Sequence, residues 1–286
     1  SGTEEIDVEG EIIDRFYRDK KVDFRGHETF PNQCITIRNS ANRQHSALGR
    51  ISAEGQQLFT LAETPREGYW GITPRNREQK FALDLLINPG INLATLVGKA
   101  GTGKTLLAIA AGLYSVTEAE HYNRLLVSRP VFPMGRDLGF LPGDVEEKLA
   151  PWMQPIYDNV DLLLRESCHG RDKKSRGYQE LKEMGILEVE PLTYIRGRSI
   201  PNQFIIVDEA QNLTPHEVKT IITRAGEGTK VILTGDPEQI DNPYVDASSN
   251  GLTYVVERFK QSPISGHISL HKGERSALAE AASDLL

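Results

Sequence analysis

The stretch Gly98-Lys-Ala-Gly-Thr-Gly-Lys-Thr105 constrains this chain more than any other part of its sequence. It has the spacing G-x-x-x-x-G-K-T, with one apolar run, Leu93–Val97, leading in and another, Leu106–Val116, leading out. A buried strand that turns through glycines into a helix brings backbone N–H groups onto phosphate oxygens, and the helix N-terminus adds a positive dipole. Gly98, Ala100, Gly101, Thr102, Gly103, Lys104 and Thr105 are therefore the candidate phosphate-binding set. Lys104 is placed to reach the β- and γ-phosphates of a nucleotide, and the Thr105 hydroxyl to ligate Mg2+.

Such a loop belongs in a parallel sheet, and the chain supplies one. Leu125–Ser128, Phe204–Val207 and Val231–Thr234 are short apolar runs without polar alternation, as strands buried on both faces have. Helical stretches lie between them, including Thr105–Val116 and Pro215–Arg224, and Asn76–Ile87 precedes them. The expected fold is an open α/β sheet with crossover helices.

The N-terminal quarter has a different texture. Residues 1–25 are charge-dense and weakly periodic, which reads as an irregular tether. Cys34–Arg38, Ala47–Ile51 and Gln57–Leu61 are short β-like runs separated by turn-prone pieces. They define a small β module at 26–65, too small to hold much core alone. The segment Glu63–Pro74, with two Pro and two Gly, carries the boundary to a larger domain at 66–286.

Composition removes whole classes. With 286 residues, 38% hydrophobic and 26% charged, the chain is not collagen-like, coiled-coil or wholly disordered. No apolar stretch approaches the ~20 residues of a membrane span. Lys and Arg total 33 against 40 Asp and Glu, a net charge of −7. That disfavours broad coating of duplex DNA but leaves room for a confined basic groove. Cys34 and Cys168 lie far apart without a CxxC pair, so neither a disulfide framework nor a zinc site is supported, and a reducing, cytoplasmic setting is expected. The opening Ser1-Gly2, with neither Met nor a secretory leader, points to a natural N-terminus upstream. The basic stretch holding Arg165, Arg171, Lys173, Lys174 and Arg176 reads either as a solvated loop or as an arm that touches phosphates.

Two further motifs carry chemistry. Phe204-Ile-Ile-Val-Asp208-Glu209-Ala-Gln211 ends a buried strand in two carboxylates. Asp208 is placed to hold Mg2+ through its water shell and Glu209 to polarise an attacking water, which points to an ATPase rather than a simple GTPase. In Val231-Ile-Leu-Thr234-Gly235-Asp236-Pro-Glu-Gln239, Thr234 and Gln239 can sense the γ-phosphate and pass its presence to a moving element.

The phosphate loop, Asp-Glu-Ala-Gln and Thr-Gly-Asp-x-x-Gln in this order resemble superfamily 1 helicases. The finer text is similar to the PhoH family of ATPases from about Gly71 to Leu286: Ser128-Arg-Pro130, Gly139-Phe-Leu-Pro-Gly143, Tyr194-Ile-Arg-Gly-Arg198, Val207-Asp-Glu-Ala-Gln-Asn212 and Gly273-Glu-Arg-Ser276. The resemblance implies a single RecA-like P-loop NTPase core with a parallel sheet, preceded by the small β module, using ATP and Mg2+. It implies that Gln79, in Asn76-Arg-Glu-Gln79, reads adenine, since an amide both donates and accepts. It implies that Arg275 acts as an arginine finger, in cis or from a neighbouring subunit. Arg129, Arg136, Arg196 and Arg198 become candidates for contact with a nucleic-acid strand, and Tyr69, Trp70 and Phe140 either stack on bases or pack internally. The β module is similar to that of members carrying an N-terminal PIN ribonuclease domain. No such nuclease is expected within these residues, and its place would be upstream.

Superfamily 1 helicases hold ATP between two cores, whereas the residues beyond the boundary suffice for one. A head-to-tail ring, with a hexamer favoured, would supply the second face. Two functions stay open. One is an RNA-dependent ATPase that translocates on or unwinds single-stranded RNA. The other is an ATP-driven switch or assembly factor that remodels a protein partner.

Overall fold

The computed structural model describes residues 2–131, 145–167, 177–195 and 199–273. Its N-terminal elements are β1 (Thr3–Val8), α1 (Gly10–Asp19), β2 (Lys21–Asp23), β3 (Cys34–Asn39), β4 (Ser46–Ile51) and β5 (Gln57–Thr60). They form a five-stranded sheet in the order β1-β3-β4-β5-β2, parallel at β1–β3 and antiparallel elsewhere. Helix α1 connects the two edge strands and lays Ile13 and Phe16, both fully buried, in a cluster with Ile35, Ile37, Ile51 and Leu58.

This corrects the expectation of an irregular tether at 1–25. The module starts at β1, not at residue 26, and has a core of its own. Only two positions of the ten-residue α1 are buried, so charged residues on its solvated face hide its helical period.

The larger layer follows: α2 (Arg77–Ile87), β6 (Leu93–Gly98), α3 (Lys104–Thr117), β7 (Arg124–Arg129), α4 (Val145–Ser167), α5 (Tyr178–Glu183), β8 (Leu187–Pro191), β9 (Gln203–Val207), α6 (Pro215–Ile222), β10 (Lys230–Gly235), α7 (Gly251–Phe259) and β11 (Ser265–Leu270). The sheet order is β11-β6-β10-β9-β7-β8, with every pairing parallel. One strand, β10, separates the strand that opens the phosphate loop from the strand that ends at Asp208. This is the RecA-like arrangement, and it gathers the loop, Asp208 and the Thr234 turn at the carboxyl edge of the sheet.

The strands read as doubly buried are the sheet's interior. The two outermost strands, β8 and β11, escape that reading because their text, Leu-Glu-Val-Glu-Pro and Ser-Gly-His-Ile-Ser-Leu, alternates with polar residues. Helix α4 contains Pro151 and Pro155, which interrupt its pattern. Among the described residues, no helix is long and apolar enough to cross a membrane.

Helix α2 is gripped from both sheets. Asp84, 5% exposed, accepts from Arg50 Nε of β4 at 2.7 Å and from the Ala62 amide at 2.8 Å. Arg50 also donates to Asn32 Oδ1 at 2.9 Å, while Asn32 Nδ2 donates to the carbonyls of Pro263 and Ser265. Arg77 pairs with Glu5 of β1. At the far end, Lys230 of β10 has no exposed surface and donates to the carbonyls of Leu85 and Asn88, both at 2.8 Å. These are C-terminal carbonyls that a helix leaves without internal partners. Burial holds the Lys230 ammonium well below its ordinary pKa.

Candidate nucleotide site

Between β6 and α3 the chain turns through Gly101 at φ 85° and Gly103 at φ 89°, a left-handed conformation that glycine adopts at little cost. Thr102, 1% exposed, donates to the Lys99 carbonyl at 2.9 Å and stiffens the loop. Lys104 Nζ donates to the carbonyls of Gly98 and Lys99, so the ammonium lies over the loop that would hold phosphates. Asn76 caps α2 by accepting from the Gln79 amide at 2.9 Å. The Gln79 side chain then donates to the Thr102 carbonyl at 3.3 Å and accepts from the Arg75 amide at 2.9 Å. The adenine candidate therefore lies directly against the phosphate loop.

Asp208 is 4% exposed, and its Oδ1 accepts from Thr105 Oγ1 at 2.7 Å and Thr234 Oγ1 at 2.6 Å. Thr234, read from sequence as a γ-phosphate sensor, makes its contact with Asp208 and braces that carboxylate. In the turn after Thr234, Asp236 Oδ2 is buried without a hydrogen-bond partner among the described residues. Buried acceptors in that position carry a cost that a cation or donor relieves. Carboxylate and hydroxyl oxygens are hard ligands of the type Mg2+ takes, and the loop amides suit phosphate. The residues present fit a magnesium nucleotide, with Thr105 and Asp208 placed to hold the ion.

Glu209 sits at φ 54°, a left-handed conformation for a non-glycine residue that costs roughly 1–3 kcal/mol and re-aims the side chain after the strand. Its Oε2 accepts from Gln211 Nε2 at 2.6 Å, and its Oε1 lies 3.4 Å from Arg129 Nη2. Gln211, fully buried, also donates to the Gln239 carbonyl at 2.8 Å and accepts from the Asp236 amide at 3.1 Å. One amide thus joins Glu209 to the turn after β10. Gly235 makes this possible, because a Cβ there would press into Gln211 Oε1 and come within 2.8 Å of Leu252. Gln239 itself is exposed and tied into the network through its backbone.

Gln211 was legible only as a letter of a motif. Its role depends on a contact across to the β10 turn, for which sequence spacing gives no signal. Arg129, read as a nucleic-acid candidate, ends β7 beside Glu209. Tyr69 packs edge-on against Tyr114, and Trp70 donates to Thr117 Oγ1 at 3.0 Å, so both are engaged internally. Arg165 lies in the last turn of α4. Arg136, Phe140, Cys168, Arg171, Lys173, Lys174, Arg176, Arg196, Arg198 and Arg275 lie outside the described residues.

A family model described as PhoH-like protein matches residues 71–285. The chain belongs to the PhoH family. A protein named PhoH2 from Bacillus subtilis (strain 168) is 50% identical over 289 residues, covering 100% of this chain and 64% of that protein. PhoH2 from Mycolicibacterium smegmatis is 38% identical over 288 residues, covering 100% and 62%. This PhoH chain therefore spans less than two thirds of the length of these curated relatives. Among solved structures it is similar to the HK97 bacteriophage large terminase, with a TM-score of 0.42 and 15% identity over 74% of this chain and 42% of that one. Similarity to the Pif1 helicase from Candida albicans is weaker still, with a TM-score of 0.36 and 16% identity over 74% and 43%. The PhoH region carries a phosphate loop, paired carboxylates at a strand end and the Thr-Gly-Asp turn.

Proposed function

We propose that this PhoH chain hydrolyses ATP with Mg2+ and couples hydrolysis to movement on single-stranded RNA, as a head-to-tail ring, with a hexamer favoured. The observation that carries the reading is Gln211, which bonds Glu209 and the turn after β10 at once. A group that touches both the water-polarising carboxylate and a neighbouring loop can convert a chemical event into displacement.

In this reading Gln79 reads adenine, the loop amides and Lys104 cradle the phosphates, and Thr105 with Asp208 holds the ion. Mg2+ supplies charge neutralisation across the phosphates when bound. Thr234 fixes Asp208, and Glu209 orients the attacking water. Arg275 offsets the charge that develops on the γ-phosphate, as the family resemblance implies. In such a ring a neighbouring subunit supplies the second face of the ATP site. RNA binding is compatible with the −7 net charge if basic residues are confined to a pore.

The test is ATP turnover with and without single-stranded RNA, at low and physiological salt. The expected result is stimulation that fades as salt rises. Absence of both stimulation and salt-dependent RNA binding overturns the RNA reading and leaves the protein-remodelling switch. Lys104→Ala should abolish turnover in either case. Mixing Arg275→Ala with Glu209→Gln subunits should restore activity when the finger acts in trans.

A further inference from the structure

The ATPase reading leaves one contact without a purpose, the ion pair between Arg129 and Glu209. It is not an opportunistic surface pair. Strands β7 and β9 run side by side with Ser128 opposite Val207, and the Asp208 amide donates to the Ser128 carbonyl at 2.9 Å. The ladder therefore fixes both strand ends one residue before the pair forms. Pro130, buried, and Val131, packed on the main core, follow Arg129 and hold its backbone from the other side. Glu209 is fixed in turn by its left-handed backbone and by Gln211. Only the two side chains are left to move. Their exposures, 21% for Arg129 and 32% for Glu209, make the pair partly desolvated.

Its chemistry opposes the reaction. An ionised carboxylate polarises water through an oxygen that can be approached. Here Oε2 is engaged by Gln211 and Oε1 faces a guanidinium, which withdraws charge from the oxygen and occupies its approach. A guanidinium also binds phosphate oxygens in the same bidentate way that it binds carboxylates. Arg129 thus has two competing classes of partner, the Glu209 carboxylate and a phosphate group.

We infer that Arg129 is a brake on Glu209, released when a phosphate of the bound RNA strand draws its guanidinium away. The inference rests on the ATPase reading of the site and deepens it. Arg129 acts through Glu209 and is a positioning residue. The same side chain can serve the nucleic-acid strand and the hydrolytic carboxylate in turn.

The test compares wild type, Arg129→Gln and Arg129→Lys for kcat and for KM towards ATP, each with and without a single-stranded oligouridylate. Removing the brake should raise the RNA-free kcat of Arg129→Gln about fivefold, leave KM unchanged and bring the RNA stimulation ratio close to one. Arg129→Lys, which keeps the charge but loses the fork, should lie between. A rise in kcat accompanied by a large rise in KM would assign the releasing phosphate to ATP and overturn the RNA arm. An RNA-free kcat that falls or stays level in a variant with a wild-type melting temperature overturns the brake. So does a raised rate that survives adding Glu209→Gln, since the gain must pass through that carboxylate. Failure of the RNA reading is seen separately, as a wild type that RNA does not stimulate while Arg129→Gln still gains basal rate. If neither protein hydrolyses ATP, the ATPase reading and the brake fall together.

Discussion

Thr234 Oγ1 donates to Asp208 Oδ1 at 2.6 Å, and the same oxygen accepts from Thr105 Oγ1 at 2.7 Å. Thr234 is fully buried, so solvent does not reach its side chain to replace the bond. Thr234→Val keeps the shape and removes the donor. Hydrogen bonds to charged groups contribute roughly 1.5–3 kcal/mol, so turnover should fall by about tenfold or more. Steady-state ATPase assays across a magnesium titration check this, and the loss should persist at saturating ATP.

Gly235→Ala should separate the hydrolytic step from nucleotide binding. The added methyl displaces Gln211 and crowds Leu252, an overpacking cost of about 1–3 kcal/mol. Glu209 then loses its link to the Asp236 turn. The expected outcome is a lowered kcat, a KM for ATP close to wild type, and a reduced melting temperature. Equal losses in kcat and in nucleotide affinity would contradict the role given to Gln211.

Two arginines of the N-terminal sheet should behave differently. Arg50→Ala strands the Asp84 carboxylate, which is 5% exposed, and should cost about 3–5 kcal/mol. Arg38→Ala breaks a pair with Glu5 whose partners are 29% and 40% exposed, and should cost under about 1 kcal/mol. Chemical denaturation of both variants provides the measurement.

His267 supplies a pH dependence. Burial pushes its imidazole down to about 4, while Nδ1 sits 2.8 Å from Thr95 Oγ1. The unfolded chain titrates near 6.5, so between these values it binds a proton that the folded protein refuses. Stability conferred by the neutral ring is complete above about pH 6.5 and is lost as pH falls towards 4. Urea melts across that window should show the decline, and His267→Gln should remove most of it.

What the sequence disclosed follows from what chemistry demands of residue type. Only glycines, a lysine and a hydroxyl make a phosphate loop, and Asp208 with Glu209 at a strand end admits few readings. The doubly buried strands were equally plain, because burial on both faces forbids polar alternation. Edge strands β8 and β11 obey no such rule and were invisible. So was the start of the N-terminal sheet, where charges on the wet faces of β1 and α1 outnumber the few residues that hold it closed. The tasks of Gln211, Thr234 and Arg129 are set by neighbours 25 to 80 residues away, and no local pattern records them.

Asp84 is grasped by Arg50 from one sheet, while Lys230 of the other holds the carbonyl end of the same helix. The helix that meets the phosphate loop at its first turn thus belongs to neither half. Cutting the chain at its visible Pro- and Gly-rich seam would not trim an accessory. It would leave a carboxylate facing a bared apolar surface and loosen the mount of Gln79. A seam in the text is not a seam in the folded molecule, because the helix beyond it is tied to the sheet before it as well as to the sheet after it.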